Sequence, residues 1–126
     1  NPQRCELVVV ALPEELPVNE TIELVQRARE LGLSSRTVVV NQVPVSLVNA
    51  ADRGLLDQLQ NHADTALNQA ASAARSELDG ADEARAQIER LRGHIDGPLV
   101  EVPLQGEMDP TDRTGAVARS LGQGAS

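Results

Sequence analysis

Two short runs of β-branched and aliphatic residues, separated by one amphipathic stretch, constrain the fold of this chain most. The first run is CELVVVAL, from Cys5 to Leu12, and it is closed by Pro13. The second is RTVVVN, from Arg36 to Asn41. Short, continuous apolar runs are typical of strands that are covered on both faces, as in a parallel sheet. The stretch between them is then the crossover helix of a βαβ unit.

That stretch, NETIELVQRARELG, has the pattern of one amphipathic helix. Asn19 is a suitable N-cap because its side chain can accept a hydrogen bond from the first turn, and Gly32 is suited to end the helix. The apolar residues recur at helical spacing and predict one buried face, made of Ile22, Leu24, Val25, Ala28 and Leu31. Strand, helix and parallel strand are therefore expected in that order.

The alanine-rich middle of the chain predicts a helical arm over residues 52–95. Apolar residues recur at steps of three and four from Leu55 to Leu78, so we expect a long helix over 52–78, about 40 Å in length. Gly80 weakens a helix, and the aspartates beside it can act as caps. We therefore expect a break near Gly80 and a second helix over 81–95, which form either a kinked arm or a helical hairpin.

A third strand and a short helix complete the predicted fold. The run GPLVEVPL predicts a strand over 97–104, and the pair Asp109-Pro110 predicts the start of a helix with Val117, Ala118 and Leu121 facing inward. The fold class is α/β, with a three-stranded parallel sheet and a long alanine-rich arm. At 126 residues, the chain is a single α/β domain or the C-terminal fragment of a larger protein.

Composition argues against several classes of function. The chain has no aromatic residue and no lysine, and its net charge is -8, so nucleic acid is not an expected partner. A single cysteine, Cys5, excludes an internal disulfide and a multi-cysteine zinc site and favours a cytoplasmic location. No apolar run approaches the roughly 20 residues that span a bilayer, so no integral membrane segment is expected.

Polar residues follow each of the three predicted strands. In an open parallel sheet, ligands bind at the carboxyl ends of the strands. The loops at these ends are PEELP, NQVP and PLQGEMDP, and their polar residues are Glu14, Glu15, Asn41, Gln42, Gln105, Glu107 and Asp109. The carboxyl edge of the sheet is therefore the expected location of a site.

Two segments resemble the C-terminal portion of the ArsA-type ATPases, the arsenite-pump and tail-anchored-protein-targeting family. They are VVVALPEELPVNETIELVQRARELGLSSRTVVVNQV and VEVPLQGEMDPTDRTGAVARSLG. The matching features are Pro13-Glu14, Glu20-Thr21, the strand ending Val40-Asn41-Gln42, Pro103-Leu104 and the Gly106-Glu107 turn. The order and spacing of these features carry the resemblance, which covers both ends of the chain well and the alanine-rich middle poorly.

The resemblance implies a P-loop NTPase fold in which this portion completes the sheet and supplies the adenine side of an ATP site. The nucleotide-binding residues it implies are Asn41, whose carboxamide can pair with the adenine edge, and Pro103, whose ring can cover the base. Other residues of the same two loops can lie near the nucleotide, namely Gln42, Leu104, Gln105 and Glu107.

No catalytic residue is expected in this chain. A phosphate loop requires a lysine, which the chain lacks, and the groups that hold Mg²⁺ in this family belong to the N-terminal part. The resemblance therefore implies ATP hydrolysis, with Mg²⁺, only in a full-length protein. It also implies a homodimer or pairing with the N-terminal ATPase portion, and a possible protein client on the helical region.

Plainer interpretations of the same residues are also open. Asn41 can simply bond its own backbone at a strand end. Glu14 and Glu15 favour a solvated loop over an acid–base pair, because adjacent residues of an extended chain point to different sides. His62 and His94 lie in helical stretches without metal-ligand companions, so metal binding is not expected.

An alternative function belongs to a different class. The seam from Leu55 to Leu78 can serve a non-catalytic α/β interaction module, which dimerises or docks a partner through the 52–78 helix. The carboxylates Glu107 and Asp109 alone make only a weak cation site. The sequence thus leaves two main hypotheses, part of an ATPase and an interaction module, and a third, an unrelated small enzyme that uses the carboxylates at the strand ends.

Overall fold

The computed structural model describes residues 6–33, 35–104 and 118–122. Between residues 6 and 104, the described part of the chain forms three strands and three α-helices, with helices in each connection between strands. In sequence they are β1 (Leu7–Ala11), α1 (Glu15–Glu30), β2 (Ser35–Val43), a short 3-10 helix (Ala50–Asp52), α2 (Arg53–Leu59), α3 (Thr65–Arg92) and β3 (Leu99–Pro103). Residues 118–122 are also helical.

The three strands form one parallel sheet in the order β1-β2-β3, so β2 is central. Val9 of β1 lies opposite Val38 of β2, and Val39 lies opposite Val100 of β3. Every connection between neighbouring strands contains a helix, as parallel pairing requires. The predicted α/β class and the three-stranded parallel sheet are confirmed.

The main core lies between one face of the sheet and helices α1 and α3. Its buried residues are Val9, Val18, Ile22, Val25, Val38, Val40, Val43, Ile88 and Leu91. Since successive residues of a strand point to opposite faces, Val39 belongs to the other face, where it clusters with Val100 and Val102. The prediction that this strand is covered on both faces is therefore confirmed for Val38, Val39 and Val40 of β2, which are all buried.

Strand β1 departs from that expectation. Val9 and Ala11 are buried, but Val8 is 54% and Val10 63% exposed. β1 is an edge strand, and α1 is the helix that packs against it among the described residues. The expectation that β1 is covered on both faces is therefore wrong, because the face that carries Val8 and Val10 is open.

Helix α1 begins one turn earlier than predicted and ends where predicted. Its N-cap is Glu14, and Pro17 fits in the first turn because that turn has no intrahelical partner for a backbone N–H. Asn19 is therefore not a cap, and its side chain instead accepts a hydrogen bond from Arg90. At the other end, Gly32 has a φ of 74°, and the bonds from its N–H and from that of Leu33 form a Schellman motif.

The helical arm breaks at a different place from the predicted one. Helix α2 ends at Leu59, and α3 runs without interruption through Gly80. Asp64 caps α3, because its carboxylate accepts hydrogen bonds from the backbone of Ala66 at 2.9 Å and of Leu67 at 3.3 Å. The predicted break at Gly80 is wrong, since a stronger cap lies upstream and an exposed helical glycine costs only about 1 kcal/mol.

The two helices pack as a hairpin with a small core of its own. Leu56 of α2 is buried against Ala71 and Leu78 of α3. Arg53 bonds Asp79 at 2.8 Å and also contacts Asp82. The bond to Asp79 raises the pKa of the Arg53 guanidinium above its ordinary value.

The two halves of α3 have different partners. Its first half packs against α2 through Ala71 and Leu78. In its second half, Ile88 and Leu91 are fully buried in the main core. Arg85 binds Glu101 of β3 at 2.9 Å, and this bond raises the pKa of the Arg85 guanidinium. Helix α3 thus packs against α2 at one end and against the sheet at the other.

The end of the chain agrees only in part with the prediction. Residues 118–122 are helical, but Ala118 is exposed and Leu121 is 39% exposed, so neither faces inward as expected. Cys5, Gln105, Glu107, Asp109 and Val117 lie outside the described residues. Within the described ranges, no helix is both long and apolar enough to cross a membrane.

Candidate functional site

The central strand β2 ends in a bulge. Val40 lies opposite Glu101 and Val43 opposite Pro103, so β2 has one more residue than β3 between these pairs. Gln42 lies in this bulge and has a φ of 54°, which is uncommon for a residue other than glycine. Its backbone N–H donates to Oδ1 of Asn41 at 2.9 Å. The plainer interpretation of Asn41, that its side chain bonds the local backbone at a strand end, is therefore correct for this bond to Gln42.

Asn41 lines a cleft of about 300 Å³ beside β1. The residues that line it are Val9, Val10, Ala11, Leu12, Pro17, Glu20, Thr21, Leu24 and Asn41. Four of them are consecutive in and just after β1, and four others belong to α1. The cleft therefore lies beside β1 and α1, and Asn41 of β2 lines it near the carboxyl end of β1, because Val40 lies opposite Ala11.

The walls of this cleft are mostly apolar, with a few polar groups. Glu20 is its only charged residue. Within the part of the chain that the structure describes, neither the amide nitrogen of Asn41 nor the hydroxyl of Thr21 has a hydrogen-bond partner. An apolar cleft with a few unsatisfied polar groups is the usual arrangement of a small-molecule site. Because no arginine lines it, the cleft fits an uncharged ligand group better than a phosphate.

A second cleft, of about 340 Å³, lies between the carboxyl ends of β1 and β2 and helix α3. It is lined by Pro13, Glu14, Glu15, Gln42, Pro44, Gly80, Glu83 and Ala84. Two of the three strand-end loops are thus brought together, as the parallel sheet predicts. Glu15 lies in the first turn of α1, where a carboxylate is favoured by the helix dipole.

The other predicted nucleotide-binding residues lie at the end of β3. Pro103 is the last residue of that strand and lies opposite Val43, and the N–H of Leu104 donates to the carbonyl of Val43 at 2.8 Å. Leu104 is 54% exposed. Pro103 lines neither of the two clefts, and Gln105 and Glu107 lie outside the described residues. The pairing of Asn41 with Pro103 around one base stays a prediction.

Each of the two histidines lies within hydrogen-bond distance of a nearby backbone group. His94 is exposed and its Nδ1 lies 2.8 Å from the carbonyl of Arg90, while Nδ1 of His62 accepts the N–H of Asp64 at 3.1 Å. No group of three or more histidine, cysteine or acidic residues that could hold a metal ion occurs among the residues described. Both of these contacts are to backbone groups close in sequence, near the ends of helices.

Sequence reasoning missed the contribution of α1 to the Asn41 cleft. The α1 residues that line it recur at helical spacing and so lie on one side of the helix, namely Pro17, Glu20, Thr21 and Leu24. The available signal was Thr21, a polar residue beside the apolar positions of the helix. Sequence could not show how α1 packs against β1, which is what brings these residues to the cleft.

A functional role for the residues of the two clefts is therefore supported only by their geometry and by the resemblance in sequence. No protein-family model matches the chain, and a search of the curated proteins finds no match. The parallel order of the strands, the bulge at Asn41 and the two clefts are the structural observations that any functional assignment has to explain.

Proposed function

We propose that this chain is the C-terminal, adenine-binding portion of a cytoplasmic P-loop ATPase of the ArsA type. The observation that carries this assignment is the bulge at the end of the central strand, which places Asn41 in an apolar cleft of about 300 Å³. The resemblance in sequence separately points to the same asparagine as the residue that contacts adenine.

The chemistry of the cleft suits a purine base. The Asn41 amide nitrogen can donate to a ring nitrogen of adenine, and Oδ1 keeps a second lone pair for the exocyclic amine after accepting from Gln42. Val10, Leu12 and Pro17 supply apolar surface for the faces of the base. The cleft is at the lower end of the range of ligand pockets, about 300–1,000 Å³, so it holds the base and not a whole nucleotide.

The phosphates of ATP need groups that this chain does not contain. It has no lysine for a phosphate loop, and Glu20 at the cleft repels negative charge. Phosphate binding, the Mg²⁺ that accompanies it and hydrolysis are accordingly assigned to an N-terminal ATPase portion with which this chain pairs. The chain alone binds the base and does not hydrolyse ATP.

Titration of the ¹⁵N-labelled chain with adenosine, followed by NMR, tests this assignment without requiring phosphate contacts. Removing the side-chain amide in Asn41→Ala should weaken adenosine binding by about 1–2 kcal/mol, or roughly five- to thirtyfold. Asn61→Ala is the matched control, since Asn61 is exposed in the turn after α2, outside the residues that line the cleft. Equal affinities for wild type and Asn41→Ala would refute the role of Asn41.

A second candidate, an interaction module, is favoured by two exposed leucines on the helical hairpin. Leu55 of α2 is 56% exposed and Leu67 of α3 is 44% exposed. If this surface joins two copies, light scattering should give the mass of a dimer for the wild type and of a monomer for Leu55→Glu/Leu67→Glu. Leu59 is unsuitable for this substitution because it packs against the hairpin core. A wild-type monomer at high concentration would exclude self-association through this surface.

A further inference from the structure

Thr21 is the buried polar residue that the fold itself does not explain. It lies in the second turn of α1, only 5% of its surface is exposed, and it is the sole buried polar residue among those described. A threonine in a helix commonly satisfies its hydroxyl on the carbonyl three or four residues earlier. In the described part of the chain, the Thr21 hydroxyl makes no such bond and has no other hydrogen-bond partner.

An unsatisfied buried hydroxyl is costly, because folding removes it from water without replacing the lost hydrogen bond. Valine has nearly the same shape and would fill the same position without that cost. Its neighbours along α1, Val18, Ile22 and Val25, are apolar and form the main core. The hydroxyl therefore lowers the stability of the free chain, which is the pattern expected of a group that serves a ligand.

The location of Thr21 indicates what that ligand contacts. Thr21 lines the same cleft as Asn41, whose amide nitrogen also lacks a partner among the described residues. The two side chains approach from different elements, α1 and the end of β2, and apolar surface from Val10 and Leu12 lies in the same cleft. A flat ligand with polar groups on more than one edge would satisfy both side chains.

We propose that Thr21 is a second ligand-binding residue of the Asn41 cleft, whose hydroxyl hydrogen-bonds the edge of a bound purine. A hydroxyl can donate to a ring nitrogen or accept from an exocyclic amine, so it complements whichever edge Asn41 leaves unpaired. This role rests on the proposed function, because it takes the base to lie in this cleft. It adds a residue on α1 to a site otherwise assigned to strand-end loops.

Thr21→Val separates a ligand-binding role from a structural one. Because the hydroxyl has no partner in the free chain, the substitution should leave the urea midpoint unchanged or raise it. The same substitution should weaken adenosine binding about five- to tenfold, the loss expected for one hydrogen bond. Thr21→Ser, which keeps the hydroxyl, should bind adenosine within about twofold of the wild type.

Thr65→Val is the matched control, since Thr65 is an exposed threonine at the start of α3. If Asn41→Ala weakens adenosine binding and Thr21→Val does not, the role of Thr21 is refuted and the proposed function stands. A lower urea midpoint for Thr21→Val would show that the hydroxyl is a structural group, which also refutes it. If the wild-type chain does not bind adenosine, both are refuted.

Discussion

Single residues decide where the elements of this chain start, stop and bend. Gly32 and Gly80 illustrate the difference between a required glycine and a tolerated one. Gly32 has a φ of 74° and ends α1, whereas Gly80 lies in the middle of α3 with open space around the position of a β-carbon. The role of Gly32 was predictable because a glycine follows the last apolar residue of a helical pattern. That of Gly80 was not, since a helix tolerates one exposed glycine when a better cap lies elsewhere.

Alanine at these two positions should therefore have opposite effects on stability. Gly80→Ala should stabilise the chain by about 0.5–1 kcal/mol, because alanine loses less backbone entropy in a helix. Gly32→Ala should destabilise it by about 1–2 kcal/mol, because alanine is strained in a left-handed conformation. Urea denaturation of both variants measures the two changes. Loss of stability in Gly80→Ala would contradict the continuous helix α3.

At the scale of elements, sequence periodicity predicts which apolar residues share one face of a helix. It does not predict which other element that face packs against. The pattern from Leu55 to Leu78 was interpreted as one helix, and the structure divides it at residues 60–64 into α2 and the start of α3. Asp64 is the physical reason, because its carboxylate caps α3. The predicted helix over 52–78 also contains Asp52 and Asp57, so the effective cap could not be chosen from residue type alone.

Helix α2 should be the least stable of the elements. It has seven residues, of which only Leu56 is buried, and it is held to α3 partly by the exposed ion pairs of Arg53. Amide hydrogen exchange should therefore be faster in α2 than in β2. Arg53→Gln should increase exchange in α2 only modestly, about two- to fivefold, because ion pairs exposed to solvent contribute little to stability.

Arg29→Gln provides the control for this measurement. Arg29 forms a comparable exposed ion pair with Asp96 at 2.6 Å, but on α1. Its substitution should leave the exchange of α2 unchanged. High salt should accelerate exchange in α2 of the wild type, because exposed ion pairs are screened. Equal exchange rates for α2 and β2 would show that the hairpin opens only when the whole chain unfolds.

At the scale of the whole molecule, the two sheet edges differ in a way that fits the proposed function. The outer strand β3 carries Glu101 and Pro103, and charges and prolines are residues that discourage further strand pairing. The other outer strand, β1, is LVVVA and has neither. In the proposed function, the backbone of its free edge is therefore where the N-terminal ATPase portion pairs, while the cleft near its carboxyl end holds the base.

The parallel sheet could be predicted because two β-branched runs flank an amphipathic helix, a pattern with few alternatives. The candidate site could be predicted only in part. Asn41 was identified from its position at a strand end and from the resemblance, but Thr21 and Leu24 line the cleft because α1 packs against β1. How α1 packs against the sheet is a property of tertiary structure, and local sequence does not encode it.

The central claim is that the cleft beside Asn41 holds a purine base. Intermolecular nuclear Overhauser effects between adenosine and the methyl groups of the chain test it most directly. The proposed function predicts effects from the base protons to methyl groups of Val10 and Leu12, which line the cleft, and none to Leu47, which is 93% exposed on the loop after β2 and does not line the cleft. Saturating adenosine without any effect to Val10 or Leu12, or with effects only to other methyl groups, would contradict it.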